Sequence, residues 1–221
     1  MGKTESFEGF PKEMTDFLWE LRFNNNREWF NKNKERYNAL LKNPLDSFSY
    51  ELNSELSKKT GTQFYYSVSR INRDIRFSKN KEPYRDHKWV VFKGDAGKWQ
   101  DKPVLFFEIG PDYYCVGMGI YETIPEYMRA FRKKIDANLP EFERLARQYE
   151  TGGFVLEGDM YKKKMSDYPQ PIAKWYQRKN LALEYNVAIG PEVYERKIFD
   201  ICLEKLEALL PINEYLLSIN I

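Results

Sequence analysis

Histidine occurs once, at His87, and cysteine twice, at Cys115 and Cys202, in a chain of 221 residues. One histidine rules out two-histidine zinc sites and the metalloprotease helix motif, and two cysteines cannot complete a structural zinc site, so no metal is expected. Two cysteines are also too few for a disulfide framework. They read as buried thiols of a reducing compartment, and the expected location is the cytoplasm. Unbroken aliphatic and aromatic runs stop at four residues, 89–92 and 104–107, too short for a membrane span or a signal-peptide core, and no membrane partner is expected. There is no Walker A loop, and Gly117-Met118-Gly119 lacks the third glycine and the strand-to-helix setting of a dinucleotide fingerprint, so no cofactor is expected. No Gly-x-Ser-x-Gly elbow offers a serine nucleophile. With 35 basic against 33 acidic residues the net charge is +2, which excludes a polyanion-wrapping protein or an acidic tail.

What is present is a core. Apolar residues make up 42% of the chain and aromatic ones 16%, which excludes disorder. A chain of this length buries about 70% of the surface its unfolded form exposes, enough to fold without staples. No repeat or linker divides the sequence, so residues 1–221 read as a single globular domain.

Met14, Phe17, Leu18 and Leu21 recur at helical spacing and predict an amphipathic helix ending near Asn24. Asn26 is a cap for a second helix, with Glu28 in its positive first turn and Phe30, Tyr37, Leu40 and Leu41 on one stripe up to Asn43. Pro44 is expected to start a third, with Leu45, Phe48, Leu52 and Leu56 inward. After Gly61 the texture turns β-branched and aromatic, predicting strands over 64–68, 88–93, 103–109 and 113–121. Gly110-Pro111-Asp112 reads as a hairpin turn, and Gly117 and Gly119 as a bulge or a close backbone approach. A helix over 125–149 is interrupted at Leu139-Pro140. Short strands over 154–157 and 181–189 flank a helix over 171–179, and a closing helix opens at Gly190-Pro191, with a last helical turn after Pro211. The expected fold is α+β, an antiparallel or mixed sheet packed with helices, with a helical N-terminal third and a C-terminal helix.

One feature is concentrated. Between Ser67 and Lys93 stand Arg70, Arg73, Arg76, Lys79, Lys81, Arg85, Lys88 and Lys93 against Asp74, Glu82 and Asp86, a net +5 in 27 residues, while the other 194 sum to −3. Such localisation implies an anionic partner or a buried ion network. Residues 70–77 fit a strand slightly better than a helix, with Asp74 as the expected partner of an arginine near apolar surface. The stretch 78–85 reads as a loop able to carry Lys79, Lys81 and the Tyr84 hydroxyl toward the same point. His87, beside Asp86, reads as a strand-entry residue with a local hydrogen bond.

The spacing Arg70, Arg73, Asp74, Arg76, Phe77, Asn80, Lys81, Tyr84, together with Asn25-Asn26-Arg27-Glu28-Trp29-Phe30, resembles the signature of an uncharacterised family of conserved hypothetical proteins, the domain of unknown function 2461 family. The resemblance implies no reaction, but it makes the arginine cluster a family trait. The expected function is binding of a small anionic ligand, phosphate- or carboxylate-bearing, by Arg70, Arg73, Arg76, Lys79, Lys81 and Tyr84, with Asn80 beside them and Asp74 orienting the arginines. Whether the protein is an enzyme stays open. Two alternatives stand beside this reading: a nucleic-acid-binding module, and a structural or partner-binding protein whose cluster is a paired ion network.

Overall fold

The chain is described by a computed structural model over residues 6–76 and 79–220. Its N-terminal third is helical: α1 (Glu13–Phe23), α2 (Arg27–Lys32) and α3 (Lys34–Tyr37) lead through a π turn at Asn38–Lys42 into α4 (Asn43–Thr60). Met14, Phe17, Leu18 and Leu21 of α1 are buried together with Leu45, Phe48, Leu52 and Leu56 of α4. The Asn26 carboxamide oxygen accepts the Trp29 N–H at 2.9 Å, so α2 opens on the cap expected of it.

The expected second helix is not continuous to Asn43. Asn33 leaves helical geometry at φ −107°, ψ 12°, and its side-chain amide donates to the Trp29 carbonyl at 2.9 Å, closing one segment and opening the next. Nor does a fresh helix start at Pro44: the π turn runs straight into α4, the Asn43 N–H donating to the Asn38 carbonyl, and Pro44 has no N–H to give to the turn before it.

Six strands form one antiparallel sheet in the order β1-β2-β3-β4-β6-β5: β1 (Tyr65–Val68), β2 (Lys88–Lys93), β3 (Val104–Ile109), β4 (Tyr113–Gly119), β5 (Val155–Glu157) and β6 (Ala182–Ala188). The fold is α+β. The β3–β4 hairpin closes with the Gly110 N–H donating to the Tyr113 carbonyl at 2.9 Å. A Cβ at Gly117 would lie 2.5 Å from the Leu183 carbonyl oxygen and 2.5 Å from the Phe106 ring, so this glycine marks the close approach its setting suggested.

Between the last strands lie α5 (Pro125–Ala137), α6 (Leu139–Thr151) and α7 (Ile172–Tyr176). α5 and α6 part at Asn138, as the Leu139-Pro140 pair predicts, whereas α7 is shorter than the expected 171–179. A short 3-10 turn at Pro191–Tyr194 precedes α8 (Lys197–Leu217). The helix does not restart after Pro211; it passes through it. Proline removes the helical N–H at position 211, and the next N–H, that of Ile212, donates to the buried Tyr149 hydroxyl at 3.1 Å.

The chain groups into two compact units. One holds the described residues up to 95, with Phe107–Cys115 and Val187–Glu204, and its core is an aromatic cluster of Phe7, Phe10, Phe48, Phe107 and Phe199. The other holds Ala96–Phe106, Val116–Asn186 and residues 205–220, with Phe131, Phe142, Trp175 and Tyr215 at its centre. In that second unit the buried Arg132 guanidinium serves as a backbone clamp. Its nitrogens donate to the carbonyls of Tyr176 (2.8 Å), Met128 (3.1 Å) and Arg178 (2.6 Å), so the charge is stabilised by dipoles rather than by a carboxylate. Cys115 and Cys202 are buried and form no disulfide, and burial pushes the Cys202 thiol well up. No helix among the described residues is long and apolar enough to cross a membrane.

Candidate functional site

The hairpin β1–β2 does not end where its strands do. Beyond Val68↔Val90 the Ser69 N–H donates to the Trp89 carbonyl at 2.8 Å; two residues on, the pairing resumes through Arg85 N–H to Ile71 carbonyl and Arg73 N–H to Pro83 carbonyl, both 2.8 Å. The second set has shifted register, because residues 86–88 face Arg70 alone, as in an enlarged bulge. Residues 70–76 are therefore not the strand the sequence favours. They form an arm whose single ladder position is the bridge Asn72↔Tyr84.

The arm is fastened to the helical layer at Tyr84. The Asn25 side chain donates to the Tyr84 carbonyl and accepts the Tyr84 N–H, both at 3.0 Å, and the Tyr84 ring stacks on Phe30 with centroids 4.0 Å apart. Asn25 and Phe30 belong to the N-terminal block and Tyr84 to the arginine-rich block, so the two sequence signatures meet in space.

Where they meet is a cleft of about 630 Å³. The helical side supplies Phe30, Asn31 and Lys34, then Tyr37, Asn38, Lys42 and Asp46 around the π turn; the arm supplies Arg70, Ile71, Asn72 and Tyr84; and β2 supplies Lys88. The π turn matters to this wall: i to i+5 hydrogen bonding brings residues five apart above one another, which sets Tyr37 and Lys42 on the same side. Four cations face one carboxylate, and that one, Asp46, is partly spent on Lys42 at 2.8 Å.

Lys88 stands apart from the other three cations. It is 3% exposed, and its ammonium donates to the Tyr37 hydroxyl at 3.1 Å. Among the described residues no carboxylate lies within 4.0 Å of it. Burial holds its pKa below the ordinary lysine value, opposed by the Asp46 charge and reinforced by Lys42. Burial likewise pushes the Tyr37 phenol up to about 12, with Asp46 adding to the shift.

The residues expected to form the site divide into two groups. Arg70, exposed, and Tyr84, buried, line the cleft. The others belong to the arm and its loop. The Arg73 guanidinium is 3.7 Å from Glu82. Asp74 does not orient Arg73; it accepts from Arg76 at Nε (3.0 Å), a second guanidinium nitrogen (2.7 Å) and the backbone N–H (3.2 Å), which holds its carboxyl down at about 2. Arg76 rather than the adjacent Arg73 is the partner because a carboxylate reaches the backbone two residues on more readily than its neighbour's side chain. Asn80 folds onto Glu82 through two hydrogen bonds of 2.8 and 2.9 Å. Lys81 caps the Ile75 carbonyl at 3.0 Å, and Lys79 is exposed. Phe77, part of the family signature, lies outside the described residues. His87 makes its expected local bond, Nδ1 to Asp86 at 3.0 Å, and stacks on Trp89.

Lys34, Tyr37, Lys42 and Lys88 went unread as site residues. For Lys88 a signal existed: alternation places it on the face of Val90 and Phe92, both fully buried, and a lysine on a buried face is out of place unless it serves the site. For Tyr37 and Lys42 there was none, since no periodicity announces a π turn.

No curated protein matches the chain. A family model does, that of a conserved hypothetical protein (DUF2461), over residues 13–215, which takes in both signature blocks and every described residue of the cleft; the chain belongs to this family.

Proposed function

We propose that the protein binds a small anionic ligand, bearing phosphate or carboxylate, in the cleft between the π turn, the arm and β2. The observation that carries this reading is Lys88: a buried ammonium hydrogen-bonded to a neutral hydroxyl, in a cleft where three further cations outnumber a single carboxylate. An unneutralised buried charge is costly, and an anion entering the cleft offsets that cost by supplying the missing partner. Arg70 presents a planar fork at the mouth, suited to two oxygens at once, and the Asn31, Asn38 and Asn72 amides offer neutral donors. Arg73, Asp74, Arg76, Asn80 and Lys81 serve a different end in this reading, holding the arm and its loop in shape through their internal pairs.

The test is a thermal-shift series with inorganic phosphate, pyrophosphate, dicarboxylates, phosphorylated metabolites and short oligonucleotides at low and moderate salt. Ligand binding to the native state raises the melting temperature, by about 2.7 kcal/mol of added stability at a hundredfold excess over Kd. The expected result is a salt-tolerant shift with a small anion, abolished in Arg70→Ala with the unliganded melting temperature unchanged. A shift confined to oligonucleotides at low salt would replace this reading with nucleic-acid binding, and no shift with any anion would leave the cluster as a structural ion network.

A further inference from the structure

Resting on that reading, we infer that Lys88 is the nucleophile of the cleft and forms an imine with an aldehyde or ketone that carries a phosphate or carboxylate group. A site that only held an anion would be served as well by arginine, whose charge is permanent; lysine is the cation whose charge a site can release. Lys88 has the surroundings for that release. It sits at the start of β2 on the face shared with Val90 and Phe92, and Ile71 and Phe30 contribute apolar wall to the same cleft. Its hydrogen-bond partner is uncharged, so no carboxylate in contact pins the proton to the nitrogen, and the Asp46 charge only partly opposes the effect of burial. Burial favours the neutral amine, the form that attacks carbonyl carbon.

The chemistry balances without a redox partner. The Nζ lone pair attacks the carbonyl carbon, a C–N bond forms, and the C–O π pair moves to oxygen to give a carbinolamine. The C–O bond then breaks, the nitrogen lone pair closes C=N, and oxygen leaves as water carrying the two protons that began on Nζ. Tyr37, whose hydroxyl lies 3.1 Å from Nζ and both donates and accepts, is positioned to pass protons between nitrogen and oxygen. With the anionic end of the substrate held by Arg70 and Lys34, Lys88 relieves the cost of its burial by releasing its proton rather than by pairing, and is left to meet the carbonyl.

The experiment is trapping at neutral pH with glyoxylate, and separately with pyridoxal phosphate, each substoichiometric and followed by borohydride reduction and peptide mapping by mass spectrometry. The expected result is one reduced adduct on Lys88, formed at least about tenfold faster than on exposed lysines such as Lys32 or Lys58, lost in Lys88→Arg and slowed in Tyr37→Phe. Mapping the wild-type adduct to its residue decides the question even if Lys88→Arg fails to fold. Label spread over exposed lysines with no preference for Lys88, in a protein whose melting still responds to inorganic phosphate, overturns the imine and leaves anion binding standing. The same spread with no response to phosphate overturns both.

Discussion

The side-chain amide of Asn25 is hydrogen-bonded to the main chain of Tyr84 in both directions, at 3.0 Å each, across 59 residues of sequence. An asparagine used in this way imitates the edge of a strand: one donor and one acceptor, spaced to satisfy a residue whose N–H and carbonyl are not used in the bridge to Asn72, where Pro83 and Arg85 make the ladder bonds. The relationship couples the entry to α2 with the arm that carries Arg70, so one wall of the cleft is held by the other.

Asn25→Ala removes both bonds and leaves the Tyr84 N–H and carbonyl without their partner. The expected loss is about 2 kcal/mol, and at this chain length each kcal/mol lowers the melting temperature by about 2–4 °C. Asn25→Asp keeps an acceptor for the N–H but offers the carbonyl no donor, so it is expected to fall between wild type and alanine in urea denaturation. Equal stability for all three proteins would show that the clamp carries no weight.

Lys88 gives stability a pH dependence of definite sign. Its folded pKa lies below the ordinary value of 10.5, so between the two the unfolded chain binds the extra proton and stability rises with pH, by at most about 1.4 kcal/mol per unit. Relative to Lys88→Met, the wild type is expected to gain stability on going from pH 7 to pH 10. Measurements should stop there, because Tyr37, raised to about 12, contributes the opposite slope above pH 10. A difference between the two proteins that stays flat to pH 10 would mean that Lys88 is solvated.

Asp86 should mark the acid side. The His87 hydrogen bond and then Arg22, whose Nε lies 2.5 Å away, hold its carboxyl well below the usual carboxylate range. A depressed folded pKa contributes stability that is fully present above the unfolded value near 3.8 and is lost as pH falls through the folded one. Asp86→Asn is expected to cost about 2 kcal/mol at pH 7, with the gap to wild type closing below pH 3.8 in an acid series of urea melts.

Gly117→Ala tests packing in the second unit. The added methyl would meet a backbone oxygen and an aromatic ring at 2.5 Å, and the oxygen belongs to β6, which cannot swing aside as a flexible side chain can. Overpacking of this kind costs about 1–3 kcal/mol, readable as a lower urea midpoint. Gly61→Ala meets no atom within 4 Å, so what it loses comes from the left-handed turn at φ 67° alone.

The α+β architecture was readable because its signals are local. Strand β2 and the helical faces of α1 and α4 announce themselves in periodicities of two and three to four, and Asn26 announces its helix through a bond only three residues long. The errors fall where a distant partner decides. Pro211 looks like a helix break until Tyr149 accepts the neighbouring N–H, and residues 70–76 look like a strand until the shift around residues 86–88 leaves a single bridge. Asp74, expected to orient the arginines together, accepts from Arg76 at both carboxylate oxygens.

By itself the sequence determined the class of fold, the family blocks at 25–30 and 70–84, and the excess of positive charge from the second block through β2. Composition and short-range periodicity suffice for these, since they depend on neighbours along the chain. Only the tertiary structure decided which charges share a cleft. Arg70, Lys34, Lys42 and Lys88 come from four different segments, while Arg73 and Arg76, closer to Arg70 in sequence, are taken up by Glu82 and Asp74. Burial sets the cost of an unpaired charge, and burial is a property of the folded molecule: alternation along β2 puts Lys88 on the face of Val90 and Phe92, but only the assembled surroundings give it Tyr37 rather than a carboxylate as its partner.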